Sequence, residues 1–225
     1  MPETPLTTPR EPVDTVLPRT PWWAVATSVA ALVAFAAAYL YAASRTPGFD
    51  VVRTSVSDLG ASGTPGRNAL GIGLLVVGAL LIVTALGLEP ADPAGRWTLA
   101  FGGLGLWLLA SAPAESATYT LRHTFSSEIA FVLLALWPAF GARAGTVVWP
   151  LRRRVGVIVS VLTFVAMQIA LWGIILRATT DGIRELAVYG WVVLWPVIVT
   201  VWTAVRDPGV ATRFVDPPPD PLPHL

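Results

Sequence analysis

The chain has no cysteine and no lysine. The first absence excludes disulfides, thiolate catalysis and cysteine-ligated zinc or iron–sulfur centres within it. The second leaves all 15 basic residues as arginine. With the abundant Ala, Gly, Pro and Val, this reads as the codon usage of a GC-rich genome rather than as mechanism. Charge is scarce too, at 13% of 225 residues and a formal net +1, which gives no reason to expect a nucleic-acid partner. The only histidines are His123 and His224. There is no H-E-x-x-H and no second histidine at ligand spacing, so neither a catalytic metal, a haem nor any other cofactor is expected. No G-x-S-x-G elbow supports a serine hydrolase.

What is abundant is apolar sequence, 54% of the residues. It falls into six runs: Trp22–Ala43, Asn68–Leu88, Trp97–Pro113, Phe125–Ala142, Val155–Ile175 and Ala187–Val205. Each is close to the roughly 20 residues that cross a bilayer as a helix. None alternates in polarity as a barrel strand would. The expected fold is therefore all-α, a polytopic transmembrane helical bundle of six spans over residues 21–205. The first run is longer than a signal-peptide core and follows a long Pro-rich segment, so it reads as a retained anchor. Residues 1–20 and 206–225 are expected to be disordered Pro-rich tails, because proline fixes φ and lacks the N–H that helices need.

Arginine sets the expected orientation. With the N-terminus inside, nine arginines fall on inside segments and six on outside ones, and "RRR" at 152–154 directly precedes a span. Both termini are then cytoplasmic, in the cell membrane. Trp22, Trp23, Trp97, Trp149 and Trp191 flank spans as interfacial anchors. Ala30, Ala34 and Ala38 give the first span a stripe suited to close helix packing.

On this orientation the polar residues gather on the outer face; Gln168, mid-span in the fifth run, is the exception. The first outer loop contains "VVRTSVSDLGASGTPGRN" at 51–68. There Ser57 and Asp58 read as the N-cap of a short interfacial helix, and Asn68 as a cap for the second span. Val51, Val52, Val56 and Leu59 interleave with the polar residues. The loop is thus expected to fold as a lid on the bundle mouth, with Asp58 near Arg122, His123 and Arg184. Glu128, five residues beyond His123, lies deep enough that it must face inward and be paired, hydrogen-bonded or protonated. Asp181 and Glu185 are four apart and share a face at the start of the sixth span, where acids suit the helix dipole. Arg184 beside them suits a carboxylate or phosphate. The catalytic candidates are Asp58, His123, Glu128 and Glu185. The ligand-binding candidates are Ser57, Asn68, Arg122, Asp181 and Arg184.

"SDLGA" after the first span, "RNALGIGLL" opening the second, a histidine opening the fourth and "GIRELAVYGWVVLW" leading into the sixth together resemble the domain of unknown function 998 family. The resemblance covers roughly residues 20–205. In that family the last motif tends to read Gly-x-x-Glu-Arg; Gly182 and Glu185 match it, and Leu186 stands where arginine is usual. The resemblance implies a six-helix bundle with a polar outer cluster, and no particular activity.

Two functional readings follow. One is an accessory or sensor protein that binds a membrane lipid or a protein partner. The other is a membrane-embedded enzyme that acts on a lipid or isoprenoid by carboxylate acid–base chemistry. A transporter ranks third, since the spans hold few charges and show no internal repeat.

Overall fold

The computed structural model describes residues 11–115, 120–175, 180–206 and 209–215. A strand, β1 (Glu11–Val16), leads into α1 (Trp22–Arg45). A one-turn helix α2 (Val56–Leu59) precedes α3 (Arg67–Gly87), α4 (Pro93–Ala110) and α5 (Leu121–Gly141). A short strand β2 (Gly145–Val147) and a tight turn at Trp149–Leu151 lead to α6 (Arg153–Ile175) and α7 (Asp181–Val205), and β3 (Gly209–Val215) follows.

The six long helices form a closed ring in chain order, each packed on its sequence neighbours and α7 returning to α1. Five of them, α1, α3, α5, α6 and α7, are long and apolar enough to cross a membrane. The remaining member, α4, has 18 residues and takes its place in the ring between α3 and α5. At ~1.5 Å per residue it runs for about 27 Å, close to the hydrocarbon thickness. The protein is a multi-pass membrane protein with an all-helical bundle.

The helix starts differ from the apolar runs for local reasons. Asp92 caps the Ala94 amide at 3.0 Å and Pro93 takes the first helical position, so α4 opens four residues before Trp97. Thr120 caps the His123 amide at 3.3 Å, which draws Arg122 and His123 into α5. Likewise α7 begins at Asp181 and carries Glu185 inside the helix.

Small residues bring the helices together. A Cβ on Gly78 would lie 2.4 Å from the Gly103 carbonyl oxygen, and one on Gly95 would lie 2.1 Å from the Gly141 backbone, so α3–α4 and α4–α5 meet almost backbone to backbone. In the stripe on α1, Ala38 packs on Gly73, whereas Ala30 faces outward. Pro138 interrupts α5, and the Ala139 amide is taken by the Ser160 hydroxyl of α6 at 3.0 Å. Across the ring, the Tyr189 ring of α7 stacks on Phe35 of α1 at 5.5 Å and meets Phe131 of α5 edge-on at 4.5 Å.

The two ends are held differently. At one, β1, β3 and β2 form a three-stranded antiparallel sheet in that order, and Thr20 and Thr203 hydroxyls pair at 2.6 Å. Arg143 donates to the Pro90 and Ala91 carbonyls at 2.8 and 3.0 Å, and Arg96 caps the end of α3 through the Ala85 and Leu86 carbonyls. The expectation of wholly disordered tails is corrected here. Residues 11–16 and 209–215 hold few of the prolines and pair with each other as strands, each supplying the other's backbone bonds. Residues 1–10 and 216–225 of those tails lie outside the described residues. At the opposite end the loop between α1 and α3 meets the segment that follows α4 and the first turn of α7, and the candidate site is there.

Candidate functional site

The 51–66 connection is tied down on two sides. The Gly182 amide donates to the Val52 carbonyl at 3.0 Å, and a Cβ on Gly182 would lie 2.6 Å from the Thr54 and Val51 carbonyl oxygens. The first turn of α7 thus lies directly on this loop. On the other side the Ser62 amide donates to the Ala114 carbonyl at 2.7 Å. Between these seams Ser55, Val56, Ser57, Leu59 and Ala61 are buried. The lid is what the polar–apolar interleaving predicts, although Val51 and Val52 stay partly exposed.

Its internal organisation corrects the expected cap. Ser55, not Ser57, caps α2. The Asp58 amide donates to the Ser55 hydroxyl at 2.9 Å, and the Ser55 amide donates to the Asp58 carboxylate at 3.3 Å. This is a reciprocal capping box, and the S-x-x-D spacing in "SVSD" carried that signal. Asp58 therefore faces out, and the cap frees Ser57 to point into the bundle. The Ser57 hydroxyl donates to one Glu185 carboxylate oxygen and the Ser57 amide to the other at 3.1 Å. A buried carboxylate is costly unless hydrogen-bonded, and here two donors from the lid meet it.

His123 is buried beside them. Its Nδ1 lies 2.8 Å from the Ala112 carbonyl oxygen, which can only accept, so Nδ1 carries the proton and Nε2 is the ring's acceptor nitrogen in the neutral form. His123, Glu128, Glu185 and Ser57 share the lining of a partly open cavity of about 260 Å³ between α5, α6 and α7. Phe131, Met167, Leu171 and Val188 supply its apolar wall. Glu128 is half-buried there, and among the described residues no hydrogen bond or ion pair engages its carboxylate. The sequence leads to an inward and partnered Glu128; the structure places it in this lining, half-buried, with no partner among the described residues.

A second cavity, of about 380 Å³, lies on the other side of Ser57, His123 and Tyr189, which line both. It runs along α3 and α4, and Arg67 and Asn68 stand at one end of it. Asn68 is not a cap: α3 begins at Arg67 after Gly66, with no side-chain cap bond. The other candidates line neither cavity. Arg122 is exposed on α5, and Arg184 and Asp181 are half-buried at the head of α7. One Asp181 carboxylate oxygen is buried with no hydrogen-bond partner among the described residues. Asp181 and Glu185, one turn apart, thus separate in role. Among the described residues no three of His, Asp and Glu converge as metal ligands. Gln168 is half-buried on α6 and lines neither cavity.

Sequence reasoning missed Ser55 and Tyr189. Ser55 was legible from its spacing to Asp58. Tyr189 was not, because nothing local marks an aromatic residue that divides two cavities.

A closed ring of apolar helices with a buried polar group under a lid defines a multi-pass helical membrane protein. Residues 29–202 match the family model described as protein of unknown function, DUF998, and the chain belongs to that family. No curated protein and no solved structure matches the chain.

Proposed function

We propose that the protein binds a membrane amphiphile in the cavity between α5, α6 and α7, with the ligand's polar end donating hydrogen bonds to Glu128 and Glu185. The observation that carries this reading is the Glu128 carboxylate, which lines the cavity with no described protein donor. A carboxylate at this depth needs a donor, and the cavity is where one can come from. The apolar wall beneath suits a hydrocarbon tail, and the headgroup this chemistry selects carries an amine or hydroxyls. The protein acts as a lipid-binding accessory or sensor in the cell membrane. With both termini cytoplasmic, as the arginine distribution favours, the cavities open toward the extracytoplasmic leaflet.

Mass spectrometry of lipid retained by the detergent-purified chain tests this reading. The wild type should retain an amine- or hydroxyl-bearing amphiphile. Glu128→Leu and the cavity-filling Ala170→Leu should lose it while still folding. Undiminished retention in Ala170→Leu removes the proposal.

One observation favours a second reading, a membrane-embedded enzyme. His123 has a fixed tautomer and stands in the same lining as the Ser57–Glu185 pair, as acid–base chemistry on a lipid or isoprenoid requires. Turnover of the retained lipid that is lost in both Glu185→Gln and His123→Gln would select it.

A further inference from the structure

We propose that the second cavity is a separate site for an anionic phospholipid, with Arg67 and Asn68 holding the phosphate. The two cavities share Ser57, His123 and Tyr189 but differ in charge. Glu128 and Glu185 line the first, whereas among the described residues Arg67 is the charged residue of the second and no carboxylate lines it. Among the described residues, no hydrogen bond or ion pair engages the Arg67 guanidinium or the Asn68 amide. Arg67 and Asn68 occupy the first turn of α3, where the helix dipole also favours an anion.

The cavity has the polarity gradient of a lipid. From Arg67 to Leu75 along α3 is about 12 Å at the rise of an α-helix. Over that distance the lining passes from Arg67 and Asn68 to Ile72 and Leu75, with Trp107 opposite. Ile72, Leu75 and Trp107 are 61%, 43% and 41% exposed, so the lower part of the groove opens sideways toward hydrocarbon. A free phosphate would use only the upper end; a phospholipid uses both. The Trp107 indole N–H is already bonded to the Leu75 carbonyl at 2.8 Å, so its ring presents apolar surface to an acyl chain.

Gly71 supplies a clean test. It lines this cavity one turn below Arg67, and a Cβ there would meet nothing within 4 Å. A side chain there starts from open space and projects from the lining of this groove, and Gly71 does not line the first cavity. Native mass spectrometry of the full chain in detergent would follow binding of phosphatidylglycerol, with diacylglycerol and glycerol phosphate as probes of each half. The wild type should hold phosphatidylglycerol more tightly than either half-molecule. Arg67→Gln should weaken it by about tenfold, the scale of one charge-assisted hydrogen bond. Gly71→Leu should abolish it while keeping the amphiphile of the first cavity. Three results overturn the proposal: unchanged binding in Gly71→Leu, unchanged binding in Arg67→Gln, or full displacement of the lipid by glycerol phosphate at equal concentration. Arg67 is exposed at a helix start, so its substitution does not threaten the fold. Loss in Ala170→Leu of the first ligand alone would show that the two sites stand or fall separately.

Discussion

Ser57 delivers both its amide and its hydroxyl to the two carboxylate oxygens of Glu185, a residue 128 positions later in the chain. This contact closes the lid, because the donor sits on α2 and the acceptor on α7. Replacing Glu185 with Leu leaves two buried donors without an acceptor, at about 1–3 kcal/mol each. Gln keeps one oxygen for them. Unfolding in detergent should therefore rank wild type, then Glu185→Gln, then Glu185→Leu. A double-mutant cycle of Ser57→Ala with Glu185→Gln should show positive coupling. Strict additivity would mean that the pair is not formed.

The lid's seam with the first turn of α7 is also steric. A methyl on Gly182 would lie 2.6 Å from two carbonyl oxygens of the 51–54 segment, both backbone atoms that cannot rotate away. Gly182→Ala should push the loop off α7. Hydrogen exchange of the amides from Ser57 to Ala61 should rise several-fold, with exchange in the middle of α3 unchanged. Asp58→Ala removes one half of the capping box and should act in the same direction, at about 1 kcal/mol. Wild-type lid amides that exchange as fast as an unfolded peptide would rule out the packed loop.

The bundle was legible in the sequence because runs near 20 apolar residues leave few alternatives in a membrane. Helix starts were less so. Thr120, Asp92 and Pro93 act through one hydrogen bond or one fixed φ, and an apolar-run reading passes over them. The site was legible as a set and not as a geometry. Ser57, His123, Glu128 and Glu185 do meet, but Asp58, which the sequence offers alongside Glu185, lines neither cavity. The two acids are equally polar in sequence; only the capping box turns Asp58 outward. The division of the polar cluster into two cavities depends on Tyr189, whose contacts with Phe35 and Phe131 join three helices distant in sequence.

Two glycines should respond oppositely to the same change. Gly95 packs on the Gly141 backbone, so Gly95→Ala forces α4 and α5 apart and should cost about 1–3 kcal/mol. Gly71 faces open space, so Gly71→Ala should be neutral or stabilise α3 by up to about 1 kcal/mol through the lower entropy cost of alanine. Thermal unfolding of the two variants in one detergent decides the matter. Equal shifts would show that α4 and α5 are not in backbone contact.

The orientation proposed for the site rests on arginine alone, and the absence of cysteine makes it simple to measure. Single cysteines report only from exposed, unstrained positions, which the structure selects. Arg53 has a side chain 74% exposed at the lid end of the bundle. Ala144 is exposed at the opposite end, beside the sheet, and is preferable to Gly145, whose φ of +100° disfavours any side chain. With cytoplasmic termini, Arg53→Cys should react with a membrane-impermeant maleimide in intact cells. Ala144→Cys should react only after permeabilisation. The test has consequences for both cavities, since each lies toward the lid end. Labelling of Ala144→Cys but not Arg53→Cys in intact cells would place the lid in the cytoplasm, and the ligands would then have to come from the inner leaflet.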